Sequence, residues 1–267
     1  MKVNKKTTYQ AKPKVLFIGD SVAHNAEFTT IEKTTNTRMR TVKAYSAVKD
    51  RVARFPSKNF ADVTPEALKQ THVDDNFNIL VLSAPTVDIS NLDTSKVGPN
   101  DDIDLFEEKV LESCKNMIVI ANNALAKHPQ LEKVILLEHA PRFDKGEKDP
   151  QGLKQQLAKF ANSTFHHLWM SSLKKSKIII GKHNLDCSDD DVITARYTNG
   201  KSERSDGVHM NNNFGRRAFT RSLLRIIRSQ VQTTPVQPQP KATQYKYHSS
   251  VSDKNRFSIF NSNQGNQ

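Results

Sequence analysis

At 267 residues, with 36% hydrophobic and 25% charged residues, the chain is long enough to bury one sizeable core, which predicts a single domain. No apolar run approaches the roughly 18 residues of a membrane span, and the basic N-terminal segment lacks the apolar stretch of a signal peptide. We therefore expect a cytoplasmic protein, with the nucleus as the alternative, and not a secreted one.

The net charge of +12 is concentrated at the ends of the chain. Residues 1–14 and 231–267 supply eight of the twelve net positive charges. The net charge of the remaining residues, 15–230, is therefore close to that of an ordinary protein. Residues 1–13 are predicted to form a basic disordered arm, and the Gln/Pro/Ser-rich residues 231–267 a disordered basic tail. These arms favour contact with nucleic acid or an acidic partner, while a solubilising role and a short protein-docking motif at residues 255–260 are the open alternatives.

Strand and helix signals alternate along the body, residues 14–230, which we predict to be one domain. The predicted strands, in chain order, are residues 14–19, 39–46, 77–84, 133–140 and 177–183. Helical patterns are clearest at residues 104–128, 152–173 and 214–229. Because parallel strands need helical crossovers, this alternation predicts a doubly wound α/β fold with its functional site at the carboxyl ends of the strands.

The last predicted helix combines an apolar stripe with arginines at helical spacing on its other side. These arginines are Arg217, Arg221, Arg225 and Arg228. Two interpretations stay open: a packed terminal helix with a solvated arginine face, or a face that contacts phosphate groups.

The first predicted strand ends in a polar turn, Gly19-Asp20-Ser21. If Ser21 begins the next helix, the nearby N–H groups favour negative charge, which suits a nucleophile whose attack creates an oxyanion. Asp and Ser are also ordinary helix N-caps, so the turn alone leaves both interpretations open.

A second polar segment, residues 202–215, follows the last predicted strand and precedes the terminal helix. Its Asp206 and His209 can lie on one side of a turn, so the carboxylate can orient the imidazole towards Ser21. We therefore predict Ser21, Asp206 and His209 as catalytic residues. The alternatives are an ordinary turn at Asp206-Gly207 and a helix-capping role for His209.

These segments resemble the SGNH, or GDSL-like, hydrolases. Gly19-Asp20-Ser21 is similar to the first block of that family, and Asp206-Gly207-Val208-His209 to its last block. Over residues 14–229, the resemblance implies a flavodoxin-like three-layer α/β/α sandwich with a five-stranded parallel sheet. It also implies a serine nucleophile, a histidine base and an orienting aspartate. Pro141-Arg142 and the basic arms resemble, more narrowly, the esterase-like domain of LINE retrotransposon first-reading-frame proteins.

The sequence departs from the family where an oxyanion-binding asparagine is expected. The segment after the third strand reads Pro85-Thr86-Val87-Asp88, and Val87 cannot donate a hydrogen bond. Losing one such donor typically lowers the rate by about 10²- to 10³-fold. The predicted oxyanion and substrate contacts are Ser46, Ala47, Thr86, Asp88, Asn91 and Arg142.

The predicted function is a serine esterase that cleaves a small acyl ester without a cofactor or metal. The alternative is a catalytically weak or inactive SGNH-fold module, of retroelement origin, that binds nucleic acid or a protein through its basic arms. Cys114 and Cys187 lack metal-site spacing and are expected to be free buried thiols. The oligomeric state is left open.

Overall fold

The computed structural model describes residues 12–48, 58–69, 76–98, 103–142, 149, 151–171, 177–183, 208–209 and 214–231. The chain divides into two units, Met1–Thr234 and Pro235–Gln267, and every described residue lies in the first. Nearly all of the two predicted arms, as well as Cys187 and Asp206, therefore lie outside the described residues. Cys114 is a free, buried thiol, and burial raises its pKa to about 12.

Five short strands form one parallel sheet. They are β1 (Lys14–Gly19), β2 (Arg38–Lys43), β3 (Ile79–Leu82), β4 (Lys133–Leu137) and β5 (Ile178–Gly181). The order is β2-β1-β3-β4-β5, and all neighbouring pairs are parallel, which confirms the predicted doubly wound α/β sheet. Four predicted strands run past the observed carboxyl ends, because the apolar pattern continues into buried loop residues such as Ala44 and Ala84.

Helices cover both faces of the sheet. The described residues contain α1 (Phe28–Thr35), α2 (Phe60–Leu68), α3 (Thr86–Ser90), α4 (Asp104–Lys127), α5 (Leu153–Met170) and α6 (Phe214–Val231). The last three match the predicted helices to within three residues at each end. None of the described helices is long and apolar enough to cross a bilayer.

Alternate side chains of the strands point to opposite faces, so the sheet has two cores. On one face, Leu16 and Leu80 pack with residues of α2, α4 and α5. On the other face, Phe17 and Val81 pack with residues of α1 and α6. The result is the three-layer α/β/α sandwich that the resemblance implied.

Gly19 ends β1 at a point where no larger residue fits. A Cβ atom there would lie 2.7 Å from Ser83 Oγ, 2.8 Å from Ala23 Cβ and 2.9 Å from a Phe17 ring carbon. The glycine thus lets the turn after β1 pack directly against the end of β3, which brings Ser21 to the carboxyl edge of the sheet.

Candidate active site

The turn after β1 is held by Asp20 and leaves Ser21 available. Asp20 Oδ1 accepts hydrogen bonds from the N–H groups of Val22 (3.0 Å) and Ala23 (3.2 Å). These two hydrogen bonds shape the turn that leads into a single 3-10 turn over Ala23–Asn25, and α1 starts only at Phe28. Ser21 therefore lies in the turn before this short helix and does not begin a helix, and the N-cap position is Val22.

Asp20 also ties this turn to α3. Its Oδ2 accepts the N–H of Thr86 at 3.1 Å, and the carboxyl group is 1% exposed. Burial raises the pKa of Asp20, while hydrogen bonds from Ala23 and Thr86 act in the opposite direction. Asp20 thus joins the backbone just after Ser21 to the first residue of α3 without facing solvent.

Ser21 and His209 meet at the carboxyl edge of the sheet. Ser21 Oγ lies 2.9 Å from His209 Nε2, although the two residues are 188 positions apart in the chain. Both residues are half-buried, so this edge is open to solvent on one side. A hydroxyl hydrogen-bonded to an imidazole is the arrangement in which histidine can accept the proton of a serine nucleophile. Asp206 lies outside the described residues, so its orienting role stays a prediction.

Asp88 lies in a buried hydrogen-bond network rather than facing a substrate. Its Oδ1 accepts the Ser46 hydroxyl, and its Oδ2 accepts the Ala47 N–H at 3.0 Å and the Ser113 hydroxyl at 2.5 Å. Asp88 is 3% exposed and Ser46 is fully buried. The predicted substrate roles of Ser46 and Asp88 do not fit this burial, and the Ala47 N–H is already committed to Asp88. The network instead joins the loop after β2 to α3 and α4.

Arg142 is likewise enclosed, at 2% exposure. Its Nη1 donates to the Thr86 carbonyl (3.2 Å) and to the Ser90 hydroxyl (3.1 Å), at the two ends of α3. Lys154 Nζ donates to the Ser90 carbonyl at 3.1 Å. These two cations hold α3 in place, which is a different role from the predicted contact between Arg142 and substrate.

The remaining predicted contacts also lie on or beside α3. Thr86 is buried with its N–H directed at Asp20, and Val87 is half-buried in the first turn. Asn91 is exposed beyond the last turn, where its N–H donates to the Val87 carbonyl at 3.0 Å. None of these described side chains takes the place of the oxyanion-binding asparagine that the family resemblance implied at Val87.

The sequence reasoning missed Ser113 and His183. Ser113 is a hydroxyl among the apolar residues of the buried face of α4, and that break in the pattern was an available signal for a polar partner. His183 follows β5 and is 4% exposed, with its ring stacked on Phe219 at 4.8 Å between centroids. It lines a cavity of about 10 Å³, roughly the space for one water molecule, together with Asp20 and Thr86.

Two buried histidines make the stability of the protein depend on pH. Burial, reinforced by the charge of Arg142, lowers the pKa of His139 to about 3. Burial and the charge of Arg225 lower the pKa of His183 to about 4. Each imidazole is neutral in the folded state but charges near pH 6.5 in the unfolded chain, so stability is fully present above pH 6.5 and is lost as the pH falls towards 4.

We expect the free energy of unfolding to fall between pH 7.5 and pH 5 by roughly 2 kcal/mol for each of these histidines. The raised pKa of Asp20 acts in the opposite direction and is common to all variants. Urea unfolding of His183→Gln should show a smaller loss than the native protein, whereas His167→Gln, at an exposed position of α5, should match the native protein. If the free energy of unfolding of His183→Gln fell between pH 7.5 and pH 5 by as much as that of the native protein, His183 would not be a source of the pH dependence.

The sheet order and the three-layer sandwich are similar in architecture to the SGNH hydrolase fold. Three solved structures illustrate the likeness. A protein described as an arylesterase from Agrobacterium tumefaciens has a TM-score of 0.52 and 14% identity, covering 81% of this chain and 99% of that one. A carbohydrate esterase has a TM-score of 0.51 and 12% identity, covering 84% of this chain and 66% of that one. A protein described as a GDSL-like lipase from Bacteroides ovatus has a TM-score of 0.50 and 12% identity, covering 85% and 56%.

At these identities the likeness concerns the fold. A scan of family models gives no match to this sequence, and no curated protein matches it significantly. The likeness therefore assigns no reaction or substrate to this chain.

Proposed function

We propose that this chain is a serine hydrolase of the SGNH type that cleaves a small acyl ester. The observation that carries the proposal is the 2.9 Å hydrogen bond between Ser21 Oγ and His209 Nε2. Both residues lie at the carboxyl edge of a parallel sheet, which is where open α/β folds place their functional sites. The neighbouring solved structures described as esterases and a lipase agree with this class of reaction.

The proposed reaction has two halves. Ser21 Oγ attacks the ester carbonyl carbon while His209 Nε2 takes the hydroxyl proton, and a tetrahedral intermediate forms. Its ester C–O bond then breaks, His209 returns the proton to the departing alcohol, and the acyl group remains on Ser21. Water, deprotonated by His209, then attacks the acyl carbon. The bond from that carbon to Ser21 Oγ breaks, His209 returns the proton to Ser21 Oγ, and the carboxylic acid leaves. Asp206 is proposed to hold the imidazole in the tautomer that this sequence of proton transfers needs.

The oxyanion of the intermediate needs hydrogen-bond donors, and few are free. The N–H groups of Val22 and Ala23 donate to Asp20, and that of Ala47 donates to Asp88. The Ser21 N–H has no acceptor among the described residues, which supports it as an oxyanion donor. Since Val87 supplies no side-chain donor, we expect slow turnover, by about 10²-fold relative to a complete oxyanion hole.

The same scarcity of donors supports a second candidate function. In that alternative, the chain is an SGNH-fold binding module with weak or no catalysis. The commitment of the Ala47 N–H to Asp88 and the apolar Val87 favour it. The Ser21–His209 hydrogen bond favours hydrolysis, because a binding module has no need to align a nucleophile with a base.

Hydrolysis of p-nitrophenyl esters by the full chain separates these two candidates. We expect release of p-nitrophenol from the acetate ester above the rate in buffer, and slower release from the octanoate ester because the proposed substrate carries a short acyl group. Ser171→Ala, at an exposed position just after α5, serves as a control that should retain the native rate. A protein with native circular dichroism and no turnover of any ester would favour the binding module.

A further inference from the structure

α6 carries a row of arginines that the proposed hydrolysis does not use. Arg217, Arg221, Arg225 and Arg228, here called the arginine stripe, are all exposed. With 3.6 residues per turn and 1.5 Å of rise per residue, they fall within an arc of roughly 80° and extend over about 16 Å. The stripe is therefore a continuous, narrow line of positive charge along one side of the helix.

The helix is fixed to the body by its opposite side. Phe219, Leu223, Ile226 and Ile227 are buried in the core that α6 shares with α1 and the sheet. Lys133 Nζ also donates to the carbonyl of Gln230, at the end of the helix, at 3.0 Å. The arginines are thus displayed on a helix that its opposite, apolar face holds to the body.

Within the part of the chain that the structure describes, little negative charge offsets the stripe. α6 contains no Asp or Glu, and the carboxylates of nearby Glu27 and Glu32 are engaged elsewhere, with Arg216 at 3.7 Å and with the Met39 N–H at 3.2 Å. Arg225 donates to the His183 carbonyl at 3.0 Å and keeps further N–H groups. Among the described residues, no carboxylate pairs with the other three arginines.

We propose that the arginine stripe binds the phosphate backbone of a nucleic acid. A stacked nucleic-acid strand, alone or in a duplex, carries a phosphate about every 3.4 Å, so a 16 Å stripe spans roughly five phosphates. Guanidinium groups suit this partner because they bind phosphate oxygens in pairs of parallel hydrogen bonds. The contacts involve phosphates only, so the binding is independent of base sequence.

Other anionic partners fit the surface less well. A protein partner normally buries apolar anchor residues, but the large exposed apolar residues of the described chain, Leu105, Val119 and Met170, lie on α4 and α5, across the sheet. Insertion of α6 into a lipid surface would need its apolar face, and that face is buried in the core. An evenly spaced polyanion matches a stripe that has charge and no apolar component.

The test measures binding of a fluorescent single-stranded RNA of mixed sequence to the full chain across a salt series. Because the predicted basic arms are present in every variant, differences report on the helix. We expect Arg217→Gln/Arg221→Gln/Arg228→Gln to reduce the slope of log affinity against log salt by about 2, since each lost phosphate contact contributes about 0.7. A matched control, Lys115→Gln/Lys127→Gln/Lys159→Gln, removes the same charge from exposed positions of α4 and α5 and should leave the slope unchanged.

Three outcomes would overturn the proposal. Equal slopes in the arginine and lysine variants would mean that net charge, and not the stripe, governs binding. An unchanged slope in the arginine variant would place all phosphate contacts outside α6. Binding of the native protein to phosphatidylserine vesicles but not to RNA would assign the stripe to a lipid surface. If the triple variant does not fold by circular dichroism, the single Arg221→Gln change should still reduce the slope by about 0.7.

Discussion

Replacing Ser21 by alanine is expected to lower p-nitrophenyl acetate turnover by about 10⁴-fold or more, because no other described side chain is placed to attack the ester through His209. Thermal unfolding should be little changed, since the hydroxyl contributes no hydrogen bond to the core. The measurement is the initial rate at saturating ester, compared with the Ser171→Ala control.

His209→Ala should produce a loss of similar size. The double variant Ser21→Ala/His209→Ala should be little worse than either single variant, because both residues serve one proton transfer. If the double variant lost activity by the product of the two single losses, the two side chains would act in separate steps. That result would exclude the proposed pair.

The second large effect concerns stability, at Asp88. Its carboxylate accepts hydrogen bonds from Ser46, Ala47 and Ser113 in a buried site. Asp88→Ala leaves all three donors without this acceptor, and we expect the free energy of unfolding to fall by about 3 kcal/mol. Urea unfolding measures this directly.

Two further variants sharpen the Asp88 prediction. Asp88→Asn keeps one acceptor oxygen, so its loss should be smaller than that of the alanine variant. Glu108→Ala changes an exposed carboxylate of α4 and should stay within about 0.5 kcal/mol of the native protein. If Asp88→Ala unfolded at the same urea concentration as Glu108→Ala, the network would not be a structural anchor.

Most of the sheet could be predicted from sequence because its strands are buried on both faces. The apolar run at residues 14–19 coincides with β1, and the other predicted strands overlap β2 to β5. Their carboxyl ends were overextended, since a buried loop and a buried strand share the same apolar composition. The short helices α1 and α3 have too few turns to show a helical period.

Some residues of the candidate site could be predicted from sequence, and others could not. Ser21 and His209 were predicted from short polar motifs at the end of a strand and before a helix, and the structure brings them together. The burial of Asp88 and Arg142 could not be predicted, because it depends on partners such as Ser113 and Ser90 that only the packing of α3 and α4 brings near. A polar residue beside a motif looks the same in sequence whether it faces substrate or the core.

The assignment of Ser21 as the nucleophile can be tested by covalent labelling of the native full chain with a fluorophosphonate, followed by mass spectrometry of the peptides. The phosphorus atom is attacked by an activated serine hydroxyl, and fluoride leaves. We expect one stoichiometric label on Ser21, strongly reduced in His209→Ala and absent in Ser21→Ala. A folded native protein that takes up no label, or takes it up on another serine, would contradict the assignment of Ser21 as the nucleophile.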